Sequence, residues 1–112
     1  MAETGATVDT PADPVATLRR RSQILARLLD EDGRVARWPK RYAQKLIVLE
    51  HLAAHFEPDT RMTEAQVNEL LNSLHSFRDP ALLRRWLVEH RLLQRTRDGA
   101  AYWLVSTEVA AR

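Results

Sequence analysis

Apolar residues recur at helical spacing along most of this chain, starting at Asp13. Asp13-Pro14 has the form of a helix start, its carboxylate placed to cap orphan amides and its proline standing at the first helical position. Leu18, Leu25, Leu28 and Leu29 then fall on one side, and Arg19, Arg20, Gln23 and Arg27 on the other. This pattern predicts an amphipathic helix within residues 13–34, stopping near Gly33, and Trp38-Pro39 breaks the chain again. A second helix is expected from about Tyr42 to Phe56, with Tyr42, Leu46, Leu49, Leu52, Ala53 and Phe56 as its apolar stripe. Ile47, Val48 and Ala54 lie off that stripe, so this helix is expected to be covered on two sides, by the first helix or by a second copy.

Thr63 and Gln66 form a capping box ahead of a third helix, in which Val67, Leu70, Leu71 and Leu74 follow at i, i+3, i+4 and i+7. Asp79-Pro80 opens a fourth, running to about His90, with Leu82, Leu83, Trp86, Leu87 and His90 inward and Ala81, Arg84, Arg85, Val88 and Arg91 outward. Residues 92–97 and 100–105 flank Asp98-Gly99, a pair suited to a type I′ hairpin turn that sets Arg95 across from Tyr102 and Leu93 from Leu104, with Arg97 at the tip. The order of helix, short extended Arg61-Met62, helix, tight link, helix and hairpin is that of a winged helix-turn-helix. The expected fold is therefore mainly α (α+β): a winged-helix domain over 38–105, an N-terminal helix added for packing or dimerisation, an acidic disordered tail over 1–12 and a short tail over 106–112.

Composition narrows the chemistry. The 112 residues include no cysteine, which excludes disulfides, a thiolate nucleophile and a thiolate zinc site. The longest apolar run, Ala100 to Val105, is far short of the roughly 20 residues that span a bilayer, so no membrane segment is expected. The N-terminal stretch carries Glu3, Asp9 and Asp13 without an apolar run, unlike a secretory or transit peptide, and a cytoplasmic location is expected. The net charge of +2 hides a gradient: residues 1–13 hold three acids and no base, and residues 14–37 hold six arginines against three acids. Gly5, Gly33 and Gly99 are isolated, so neither a P-loop nor a dinucleotide fingerprint can be drawn, and the serines lack a nucleophile-elbow context. No enzyme and no cofactor are expected.

The stretch W-P-K-R-Y-A-Q-K-L-I-V-L-E-H-L-A-A-H-F-E, followed by T-E-A-Q-V-N-E-L-L, L-L-R-R-W-L-V-E-H-R-L-L-Q-R and D-G-A-A-Y-W, resembles the bacterial family called domain of unknown function 2087 over about residues 38–104. The resemblance implies a winged-helix-like, nucleic-acid-binding module with no established reaction. It carries no catalytic residues across; the matching Val67, Asn68, Arg84, Arg85, Gly99, Tyr102 and Trp103 speak to fold.

These patterns lead to an expected function: a DNA-binding transcriptional regulator, dimeric through its N-terminal helix, reading double-stranded DNA with the fourth helix. Arg84 and Arg85 are the candidates for base edges or phosphates, with Arg91, Arg95, Arg97, Lys40 and Arg41 as further contacts. Arg84 and Arg85 lie to either side of the outward face, and one of them can instead fold back onto Glu69 or Glu89. The modest net charge keeps open a protein-interaction module that binds no DNA. RNA fits less well, because Trp103 is the main aromatic offered for base stacking. His51 and His55, at i and i+4, are the only metal candidates and would make a metal-responsive regulator. They lack the glutamate of H-E-x-x-H and a third ligand, so packing is the better reading. His75 is expected to satisfy carbonyls at a helix end, and His90 to sit in the core.

Overall fold

A computed structural model describes residues 13–105, so the tails read as 1–12 and 106–112 lie outside the described residues. Within that span the chain is a mixed α+β fold of four helices followed by an antiparallel pair of strands. The helices are α1 (Pro14–Leu28), α2 (Tyr42–Ala53), α3 (Glu64–Asn72) and α4 (Pro80–Glu89), and the strands are β1 (Leu93–Arg95) and β2 (Tyr102–Leu104).

Three helix starts form as their side chains dictate. Asp13 accepts from the Ala16 amide, Thr63 and Gln66 close the reciprocal capping box, and Asp79 accepts from the Leu82 amide. The first helix is shorter than the sequence pattern predicts, ending at Leu28 and not near Gly33. Asp30 draws the chain off: its carboxylate accepts from the amides of Asp32 and Arg34, and Gly33, at φ 79°, turns the backbone so that Leu29 pairs with Val35.

The core is a single cluster in which Val48, Leu49, Leu52, Val67, Leu71, Leu83 and Leu87 are fully buried, with Leu28 and Val35 completing it from the N-terminal side. Val48 lies off the main stripe of α2 and is nevertheless buried, because α1 packs against that helix and an ion pair joins Arg21 to Glu50. Tyr42, the first residue of the expected stripe, stays more than half exposed, since the helix begins beside open surface.

Strand pairing follows the expected register, with Leu93 opposite Leu104 and Arg95 opposite Tyr102. The connection differs from the expected type I′ turn. Of Asp98 and Gly99 only the glycine takes a positive φ, at 76°, and the Thr96 carbonyl accepts from the Gly99 amide at 3.0 Å. Thr96 and Asp98 side chains take up the Ala100 amide, so a four-residue loop over 97–100 replaces the two-residue turn without changing which residues face each other. The Thr96 hydroxyl, donating to the Asp98 carboxylate at 2.8 Å, and then the Ala100 amide hold that carboxyl below the usual carboxylate range. The segment between α2 and α3 also joins this pairing: Met62 and Tyr102 exchange both backbone hydrogen bonds at 2.8 Å, and the Asp59 amide donates to Leu104.

Candidate nucleic-acid interface

Leu83 and Leu87 form the centre of the buried face of α4, while Trp86 and His90 are only half-buried. At about 100° per residue this places Arg85 near the middle of the outward face and turns Arg84 toward α3. Arg85 is exposed. Arg84 is half-buried, hydrogen-bonded to the Asn68 side chain and 3.5 Å from the Glu64 carboxylate. Its partners therefore come from α3, one turn apart, and not from Glu69 or Glu89. Glu64 also accepts from the Tyr102 hydroxyl at 3.5 Å, which links α3, α4 and β2 through one carboxylate.

Arg84, Arg85 and Arg95 nonetheless line one cleft between α4 and the hairpin, of about 290 Å³, together with Val88, Glu89 and Tyr102. The Arg95 guanidinium bends over its own loop and donates to the carbonyls of Thr96 and Arg97 at 3.2 and 3.3 Å. Arg97 is exposed in that loop. Arg91 follows α4 with φ 62°, and the Leu92 amide donates to Leu87 while the Arg91 amide donates to Val88. This is the helix-ending geometry that glycine usually serves, here occupied by an exposed arginine. Lys40 and Arg41 stand apart from the cleft, before α2, in a hollow shared with Arg37 and Trp38.

Trp38, Tyr42, Trp86 and His90 form an aromatic group that spacing within single helices did not reveal. The Trp86 and His90 rings stack at 5.0 Å, Trp38 meets Trp86 edge-on at 5.3 Å, and the Tyr42 hydroxyl is hydrogen-bonded to His90 Nε2 at 2.8 Å. Lys45 Nζ lies 5.0 Å from the centre of the Trp86 ring. The i, i+4 spacing of Trp86 and His90 was the available signal; their partners come from a loop and a helix far away in sequence. His90 thus lies at the edge of the core. Trp103 is half-buried beneath the Arg61 guanidinium, 4.1 Å from its centre, which leaves less of its ring for a base.

His75 is fully enclosed. The Asp79 amide can only donate, so Nε2 accepts it at 2.9 Å and Nδ1 carries the proton given to the Leu71 carbonyl at 2.6 Å. The His51 and His55 rings meet edge-on at 5.0 Å, and His55 Nδ1 is bonded to the His51 carbonyl. Among the described residues no group of three or more His, Asp or Glu side chains is placed to hold a metal ion.

Burial, and then the neighbouring His55, push the His51 imidazole below its ordinary value of 6.5. A base whose pKa falls on folding contributes stability that is complete above its unfolded pKa and lost as pH drops through the lower folded value. His51→Gln is therefore expected to lessen the fall in melting temperature between pH 7 and pH 5. An acid-side decline identical to that of the unmodified chain would contradict this.

Residues 34–104 match the family described as Uncharacterized protein conserved in bacteria (DUF2087). The chain belongs to the DUF2087 family. No curated protein and no solved structure matches it. The DUF2087 segment contains α2, α3, α4, the hairpin and every arginine of the cleft, whereas α1 precedes it. Among the described residues no helix is long and apolar enough to cross a membrane.

Proposed function

We propose that this DUF2087 chain is a DNA-binding transcriptional regulator of winged helix-turn-helix type, acting by binding without bond chemistry. The observation that carries the reading is the cleft in which the outward face of α4 meets the hairpin, with Arg84, Arg85 and Arg95 on its walls. The element order supports it as well, because the stretch around Met62 pairs with β2 as the first strand of a winged helix does. In this reading α4 enters the major groove with Arg85 foremost. Arg91, Arg95 and Arg97 approach phosphates, and Arg84 holds α4 against α3.

Fluorescence anisotropy against random-sequence duplex DNA over a salt series tests the proposal. The affinity is expected to fall with salt at a log–log slope of about −0.9 per phosphate contacted. Replacing Arg85 by alanine together with Arg91→Gly removes two cations while giving glycine a backbone that suits it, and is expected to weaken binding about tenfold or more. Unchanged affinity in that variant, or no binding by the unmodified chain at low salt, sinks the proposal.

One observation favours a second reading, the protein-interaction module. Val15 and Leu18 of α1 are 61% and 60% exposed, an apolar edge on a helix that otherwise packs against α2. In that reading α1 is the contact element, for a partner or for the second copy of a homodimer. The salt titration separates the two, since a chain that ignores duplex DNA leaves only this surface.

A further inference from the structure

Residues 34–41, Arg34-Val35-Ala36-Arg37-Trp38-Pro39-Lys40-Arg41, hold four cations and no acid. They form an irregular strap between the turn after α1 and the start of α2. Val35 anchors one end: it is fully buried, its amide donates to Leu74 at 2.8 Å, and its carbonyl accepts from Ser76 at 3.0 Å. Pro39 is buried and Trp38 packs on Trp86, which anchors the other end. The two anchors lay the strap along α4, from the turn that precedes this helix to its second half.

Val35 and Pro39 are buried and Trp38 is half-buried, whereas Ala36 and the four charged residues of the strap are exposed. Arg37, Lys40 and Arg41 share one hollow of about 270 Å³. Arg34 lines another of about 510 Å³ with Arg78, Asn72 and Ser76. Neither hollow is lined by a carboxylate, and among the described residues none of these five cations is in an ion pair.

The strap also lies on the opposite flank of α4 from the hairpin. Trp86, where the strap packs, is about 100° around the helix from Arg85, and the cleft with Arg95 opens on the other side. A helix seated in a major groove about 12 Å wide has a phosphate strand along each wall. We propose that the strap, with Arg78, is a second phosphate-binding element, gripping the strand of duplex DNA opposite the one met by the hairpin. This rests on the DNA-binding reading and adds to it a two-sided footprint.

The test uses the full chain, labelled random-sequence duplex and a salt series on three proteins. These are the unmodified chain, a strap variant (Arg37→Gln, Lys40→Gln, Arg41→Gln) and a hairpin variant (Arg95→Gln, Arg97→Gln). The strap variant is expected to reduce the log–log salt slope by about 2.7, at about 0.9 for each lost phosphate contact. Should its helical circular dichroism fall, Arg34→Gln with Arg78→Gly probes the second hollow instead. Arg78 has φ 58°, so glycine suits its backbone, and the expected reduction is about 1.8. A steep slope in the unmodified chain, a shallower one in the hairpin variant and no change in the strap variants would overturn the two-sided footprint and leave the DNA-binding reading standing. No binding by the unmodified chain would overturn both.

Discussion

Replacing His75 by leucine is expected to destabilise the protein by about 1–3 kcal/mol, even though it places an apolar side chain at a position only 2% exposed. The imidazole links the end of α3 to the start of α4, accepting from the Asp79 amide and donating to the Leu71 carbonyl. Leucine takes away the acceptor of the part-buried Asp79 amide, and such a loss costs about 1–3 kcal/mol, whereas the Leu71 carbonyl keeps the Leu74 amide at 2.9 Å. It also loses the edge-on contact with Phe77 at 4.5 Å. Glutamine carries an NH2 donor group and a carbonyl acceptor, so His75→Gln is expected to recover part of the loss. Urea melts of the three proteins decide the matter. If leucine proves neutral, the hydrogen bonds do not hold the link.

Leu87→Ala is expected to cost about 2–5 kcal/mol, the range for emptying a packed leucine site. Leu87 is fully buried and its carbonyl closes the end of α4 by accepting from Leu92, so the cavity would open where the last helix meets the hairpin. For a domain of this size each kcal/mol lowers the melting temperature by about 4–8 °C, a shift easily read by circular dichroism. A loss below about 1 kcal/mol would show that neighbouring side chains collapse into the space. Leu82→Ala is the natural comparison, because Leu82 is only half-buried on the same helix.

Three of the four helix starts were legible because each is written within two to four consecutive residues: Asp13-Pro14, Thr63 with Gln66, and Asp79-Pro80. The hairpin register was legible too, since alternation on either side of Asp98-Gly99 fixes which residues oppose. Its loop conformation was not, because Thr96 competes for the Ala100 and Ala101 amides through a side chain that strand pattern ignores. The candidate site was half legible. Outward arginines on α4 follow from periodicity, but the fate of Arg84 depended on Asn68 and Glu64, which reach it only once α3 and α4 pack. The strap escaped notice as a unit because it has neither helical nor strand period; its course is set by Val35 and Trp38 finding partners about 40 or more residues away.

The family match begins at Arg34, yet Leu28 is 2% exposed in the core and its carbonyl accepts from the Ala36 amide at 2.8 Å. A fragment cut to the family boundary would lose the residue that seals the core beside the strap, and its solubility would report on that gap as much as on the module. The family segment and the buried core of this chain have different beginnings, and the core reaches back into α1.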